Sequence, residues 1–133
     1  MKIEHKEINF TDERGTITDI FVNDCKDHAT IIYCKKGAVR GNHYHQESTQ
    51  YTFVVSGELT LLSQKVGEKE IKKHILKPND LATHGPMEAH TLIADEDTIF
   101  LAFVDGKRGG KNYEKDTVRL EVPLEKQLQE TQS

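Results

Sequence analysis

The chain has no tryptophan, three prolines and two cysteines in 133 residues. Cys25 and Cys34 lack CxxC spacing, so they read as reduced thiols rather than a disulfide framework. Alternation along Thr30–Cys34 puts Cys34 beside core positions and predicts a buried structural thiol. No apolar run approaches the length of a membrane span. Positive charge is in deficit as well. A net charge of −4 gives no broad pull toward nucleic acid or anionic lipid, so neither is expected as a partner. The opening Met1-Lys2-Ile3-Glu4-His5-Lys6 has no apolar signal core, and a cytoplasmic location is expected. Internal repeats, low-complexity segments and linkers are also lacking, and only the stretch from Leu124 onward has helical composition.

What remains is almost entirely short β segments, in a chain whose length suits one domain with one core. Thr16–Val22, Ala29–Cys34, Tyr51–Val55, Glu58–Lys65, Lys69–Lys77, His90–Ala94 and Thr98–Val104 read as strands, with Thr117–Val122 as a last one. Ser56-Gly57, Val66-Gly67-Glu68, Pro78-Asn79-Asp80 and Asp95-Glu96-Asp97 supply the turns. Strands so closely spaced predict a sandwich or barrel.

The most informative stretch is Gly37-x5-His43-x-His45-x4-Gln50-x6-Gly57. His43 and His45, one residue apart, share one face of a strand. Two imidazoles converging on a cavity either hold a metal ion or move protons. With His90 and the Gln50 amide oxygen they supply part of an octahedral site for iron, manganese, nickel or zinc; without a metal they serve as acid and base. Tyr51 stands beside Gln50 as a phenolic candidate. His84, just before Gly85-Pro86, reads as a rim or structural residue, or as a ligand in a shifted alignment. Lys107, Arg108 and Lys111, set among glycines, read as a solvated turn.

This spacing resembles the first motif of the cupins, with Gln50 where that motif usually has Glu. Asn79-Asp80, Pro86 and His90 resemble the second motif, with Glu88 in place of its usual Gly and Ala94 in place of its usual Asn. The resemblance covers residues 35 to 104. It implies an all-β double-stranded β-helix (jelly-roll, cupin barrel) with His43, His45, Gln50 and His90 facing inward, and a homodimer. On this reading residues 1–123 form a single cupin domain, followed by a polar tail, 124–133, either helical or disordered. An amide in place of the carboxylate removes negative charge and lowers affinity for a divalent cation.

Within the cupins, Asp12-Glu13-Arg14-Gly15 is similar to the opening of the sugar-nucleotide epimerases and ketoisomerases. Arg40-Gly41-Asn42-His43-Tyr44-His45 followed by Gln50 is similar to the bacterial dTDP-4-keto-6-deoxyhexose 3,4-ketoisomerases. Those enzymes typically carry a tryptophan near the position of His90, and this chain has none. The resemblance implies a sugar-nucleotide isomerase or 3,5-epimerase-like enzyme of polysaccharide biosynthesis. It would work without a metal, by histidine-mediated enolisation of a 4-keto-6-deoxyhexose. His43, His45 and Tyr51 would be catalytic, and Arg14, Arg40 and Gln50 would bind the nucleoside-diphosphate sugar. Guanidinium matches phosphate in a fork geometry, and the glycine after each arginine lets a ligand approach the backbone. His90 pulls instead toward a metal-dependent cupin of oxygenase or lyase type, holding one divalent metal through His43, His45, Gln50 and His90. A non-catalytic sugar-binding or small-ligand cupin is the third expectation.

Overall fold

The computed structural model describes residues 1–106 and 115–132; Lys107, Arg108 and Lys111 lie outside them. The elements run β1 (Lys2–His5), β2 (Phe10–Asp12), β3 (Gly15–Ile17), β4 (His28–Cys34), β5 (Val39–His45), β6 (Thr49–Ser56), β7 (Leu59–Lys65), β8 (Lys72–Leu76), β9 (Asp80–His84), β10 (Glu88–Ala94), β11 (Thr98–Asp105), β12 (Thr117–Arg119) and α1 (Leu124–Gln132). Two antiparallel five-stranded sheets face each other, ordered β1-β9-β6-β11-β4 and β12-β5-β10-β7-β8; β2 and β3 form a separate hairpin. The strand spacing predicts a sandwich or barrel, and the arrangement is the jelly roll that the resemblance implies.

Alternation builds the core. Along β11, Thr98, Phe100, Ala102 and Val104 are buried while Ile99, Leu101, Phe103 and Asp105 are only half-buried. Phe100 and Ala102 meet Val54, Leu59, Leu61, Leu76, Ala82 and Leu92 between the sheets. Each fully buried Leu or Val contributes roughly 1.5–3 kcal/mol relative to exposure. Cys34 joins this core at 6% exposure, as its place in the alternation predicts.

The segment expected as a strand over Thr16–Val22 pairs only as far as Ile17. Thr18–Asp27 instead forms a strap over the outer side of the first sheet. Phe21 packs edge-on against Tyr51 and Phe103, with centroids 5.2 and 5.0 Å away. The Lys26 ammonium, 6% exposed, pairs with Asp24 and Asp105. Asn23 adopts a left-handed φ of 53°, and Asp and Asn side chains offer local hydrogen bonds that compete with a ladder. Asp19 N–H donates to Asn9 Oδ1, ten residues earlier, instead of to a strand neighbour.

The polar tail is helical as α1. Leu124 is fully buried and, with Leu128, packs on Leu62, Ala89 and Ile93 on the outer side of the second sheet. Asn42, at a φ of 57°, ties this helix to β5. Its amide nitrogen donates to Glu125, while its oxygen accepts from Leu124 N–H and from the Thr91 hydroxyl. Among the described residues no helix is long and apolar enough to cross a membrane.

Candidate active site

A bulge in β5 decides which side chains meet. His43 pairs with His90 and Arg40 with Leu92, so three steps on β5 oppose two on β10. The extra residue inverts the alternation. Arg40 therefore borders the same cavity as His43 while staying exposed, whereas unbroken alternation would turn it to the opposite face. Gly41 makes this possible. Its φ is +93°, and a Cβ there would stand 2.7 Å from the His90 carbonyl oxygen. The glycine after Arg40 thus accommodates a neighbouring strand, and it also lines the cavity described below. Gly15, after Arg14, has open space around it.

Inside the barrel four imidazoles gather. His43 lies with its ring centroid 4.9 Å from His45 and 4.8 Å from His90, and His84 stacks on His90 at 4.6 Å. His43 is 8% exposed, His45 4%, and His84 and His90 1% each. The Thr52 hydroxyl oxygen is 3.1 Å from His84 Nε2. Burial pushes His84 down to about 3, helped by the N-terminal ammonium and by His45 and His43. Burial, then His84, His43 and His45, holds His90 well below the usual histidine value. Desolvation disfavours the charged ring, and four neighbours cannot all carry charge. Both side chains are therefore neutral near pH 7.

A carboxylate stands behind His45. Asp116 Oδ2 is 3.8 Å from His45 Nδ1, and Thr117 Oγ1 is 3.3 Å from the same nitrogen. Burial raises the Asp116 carboxyl, but hydrogen bonds from Ser48 and from the Glu47 and Ser48 backbone N–H groups outweigh it, with His45 adding a further pull. The result lies below the ordinary carboxylate value, so Asp116 is an anion fixed beside one catalytic candidate.

The cluster opens into a cavity of about 190 Å³ lined by Arg40, Gly41, His43 and Gln50, with Ile32, Leu92, Phe100 and Ala102 as its apolar wall. Gln50 is 8% exposed and pairs with His84 across β6 and β9. Four of the residues singled out in the sequence, His43, His45, His90 and Gln50, thus share one interior, and a fifth, Arg40, stands exposed at its rim.

Two do not. Tyr51 faces the opposite side of the first sheet, as alternation from Gln50 requires. Its hydroxyl donates to Asp105 Oδ2 at 3.1 Å, and the Lys26 ammonium sits 3.9 Å from its ring centroid. Its placement as the catalytic phenol is corrected to a place under the strap. Arg14 is 81% exposed on the β2–β3 hairpin and forms an ion pair with Asp12 at 2.6 Å. This pairing holds the Asp12 carboxyl below its ordinary value. Arg14 does not line the histidine cavity of its own chain, where it forms this hairpin ion pair.

Sequence reasoning undervalued His84 and passed over Asp116. A signal for His84 existed, since it follows Leu81 and Ala82 on an apolar segment with the parity of Ala82. Asp116 carried none, because its contact with His45 spans 71 residues and exists only in the fold.

The donor set fits a metal. His43, His45 and His90 each offer one nitrogen, all within 4.8 Å of one another and all buried. Three neutral imidazoles suit a divalent transition ion, and Asp116 behind His45 is the kind of outer carboxylate that orients a ligating ring.

Barrel, inward histidines and cavity mouth together define a cupin-type jelly roll. Residues 10–103 match the family described as polysaccharide biosynthesis C-terminal domain, and the chain belongs to that family. No curated protein matches the chain. Among solved structures it is similar to the sugar 3,4-ketoisomerase QdtA of Thermoanaerobacterium thermosaccharolyticum in complex with TDP: 17% identity, 98% of this chain and 93% of that one, TM-score 0.74. It is similar to a 3,4-ketoisomerase from Helicobacter canadensis: 19% identity, 99% and 97%, TM-score 0.76. It is also similar to the epimerase RmlC of Legionella pneumophila Philadelphia 1 in complex with dTDP-4-keto-L-rhamnose: 18% identity, 95% and 74%, TM-score 0.76. At these identities the likeness is one of fold.

Proposed function

We propose that the chain is a sugar-nucleotide isomerase or epimerase that enolises a nucleoside-diphosphate-linked 4-keto-6-deoxyhexose. The observation that carries this reading is a single cavity bordered by His43, Gln50 and Arg40, with His45 beside His43. At about 190 Å³ the cavity is smaller than the roughly 300–1,000 Å³ that encloses a drug-sized ligand. It suits a sugar ring, with the nucleotide outside. The complexes of QdtA with TDP and of RmlC with a dTDP-sugar support a ligand of that class.

In this proposal His43 and His45 act as base and acid, in an order left to experiment. A neutral imidazole removes the proton on the carbon next to the ketone, and the electron pair moves into the carbonyl as an enediolate. Proton return to the former carbonyl carbon, with loss of the neighbouring hydroxyl proton, gives the 3-keto sugar. Return to the same carbon on its other face gives the epimer. Either sequence is redox-neutral and fits general acid–base catalysis. Neutral His84 and His90 keep the cluster from accumulating charge, and Arg40 receives the diphosphate.

The test is incubation with dTDP-4-keto-6-deoxyglucose in deuterated water. Deuterium entering the ring is expected, and its position separates ketoisomerase from epimerase. His43→Asn or His45→Asn should lower turnover by about 10²–10⁴-fold with the fold retained. Full activity in both variants overturns the mechanism. Binding without exchange on any of several keto-sugar nucleotides would make the protein a sugar-binding cupin instead.

The three-nitrogen set favours a second reading, a metal-dependent cupin in which His43, His45 and His90 would hold an iron, manganese, nickel or zinc ion. The ion would supply Lewis-acid or redox chemistry. Stoichiometric metal in the purified protein, lost in His90→Ala, would favour it. We also take the protein to be a homodimer; exposed Phe10 and Ile17 on a hairpin paired with neither barrel sheet support that.

A further inference from the structure

We propose that Cys34 is a positioning residue for phosphate recognition, its sulfur fixing the Arg40 guanidinium at the mouth of the histidine cavity. The inference rests on the reading of Arg40 as the diphosphate anchor. Cys34 ends β4, an edge strand of the first sheet, and Arg40 lies on β5 of the second; no ladder joins these strands. Across that seam Arg40 Nε donates to Cys34 Sγ at 3.0 Å.

Among the described residues no carboxylate lies in ion-pair range of Arg40, whereas Arg14 is held by Asp12 and Lys26 by Asp24 and Asp105. An unpaired guanidinium beside a cavity is an anion receptor. A thiol suits the holding role because it is a weak acceptor without charge. It restrains the side chain and leaves the positive charge for the ligand, where a carboxylate would compete. With Nε engaged, both Nη groups remain to present a two-pronged fork to phosphate oxygens. The anchor itself is fixed, since Cys34 packs in the main core with Val54, Leu92 and Phe100. Limiting the freedom of a long flexible side chain before binding raises affinity without any new ligand contact.

The experiment measures thymidine diphosphate and uridine diphosphate binding by calorimetry in wild type, Cys34→Ala, Cys34→Ser, Arg40→Ala and the Cys34→Ala/Arg40→Ala double variant. Thermal melts serve to confirm folding. Arg40→Ala should weaken binding at least about tenfold and Cys34→Ala about threefold to tenfold. Cys34→Ser, which keeps an acceptor, should restore wild-type affinity even if its melting temperature falls. In the Arg40→Ala background Cys34→Ala should have no further effect, because the sulfur acts only through the arginine. Wild-type affinity in folded Cys34→Ala, alongside loss in Arg40→Ala, overturns the inference and leaves the reading of Arg40 standing. Unchanged affinity in Arg40→Ala, or no binding of either nucleotide by wild type, overturns both.

Discussion

His84 lies stacked on His90, ring centroids 4.6 Å apart and planes 29° from parallel, with both residues 1% exposed. Two such rings, with His43 and His45 adjacent, must be neutral in the native state, whereas in the unfolded chain each takes a proton near its ordinary value. For His84 the folded value is about 3, against 6.5. The unfolded state then binds more protons, so stability is fully present above pH 6.5 and is lost as pH falls toward 3. At its steepest this group alone accounts for about 1.4 kcal/mol per pH unit. Urea midpoints measured from pH 7 to pH 4, with chelator present, should fall with acidity. His84→Gln should flatten the slope. A pH-independent midpoint would refute the buried neutral stack.

Tyr51 supplies a sharper contrast between expectation and fold. Because its hydroxyl meets Asp105 and its ring lies under Lys26, Tyr51→Phe should keep turnover within about twofold. It should cost about 0.5–1.5 kcal/mol, the worth of one hydrogen bond. Steady-state rates and denaturant melts check both halves. A large drop in kcat with stability intact would return the phenol to the chemistry.

Gly41→Ala tests the bulge. The added methyl meets the His90 carbonyl oxygen at 2.7 Å, on a backbone at φ +93°, so the strand must shift or the residue stays strained. A loss of about 1–3 kcal/mol is expected. Displacement of Arg40 should accompany it and weaken nucleotide binding. Wild-type melting and binding would mean that the bulge tolerates a side chain.

Asn42→Ala should release α1. The substitution removes contacts to Glu125, Thr91 and the Leu124 N–H and puts alanine at a left-handed φ. A cost of about 2–4 kcal/mol is expected. Asn42→Gly relieves the backbone strain and leaves the contact loss, so the two variants separate the terms. Proteolytic sensitivity of the tail reports whether the helix has detached.

Much of the scaffold was legible. Alternating burial along β11 and the His43-x-His45 spacing are strictly local, because every second residue of a strand faces the same way whatever it pairs with. The same rule, counted from Gln50, already turned Tyr51 outward. Thr18–Val22 was misread as strand because β-branched residues there lack partners; without a ladder the chain settled as a strap on Phe21 and Lys26. Arg14 was grouped with Arg40 on residue type, the glycine after each and the resemblance, while the hairpin carries it to an exposed ion pair.

By itself the sequence determined the strand periods, the shared face of two imidazoles and an uncharged amide beside them, since these follow from backbone geometry within a few residues. Only the tertiary structure decided that His84 completes the cluster, that Asp116 backs His45, and that a one-residue bulge turns Arg40 to the cavity rim and onto Cys34. Each of those depends on pairing register between distant strands. A shift of one residue there reverses every side chain, and no local pattern records it.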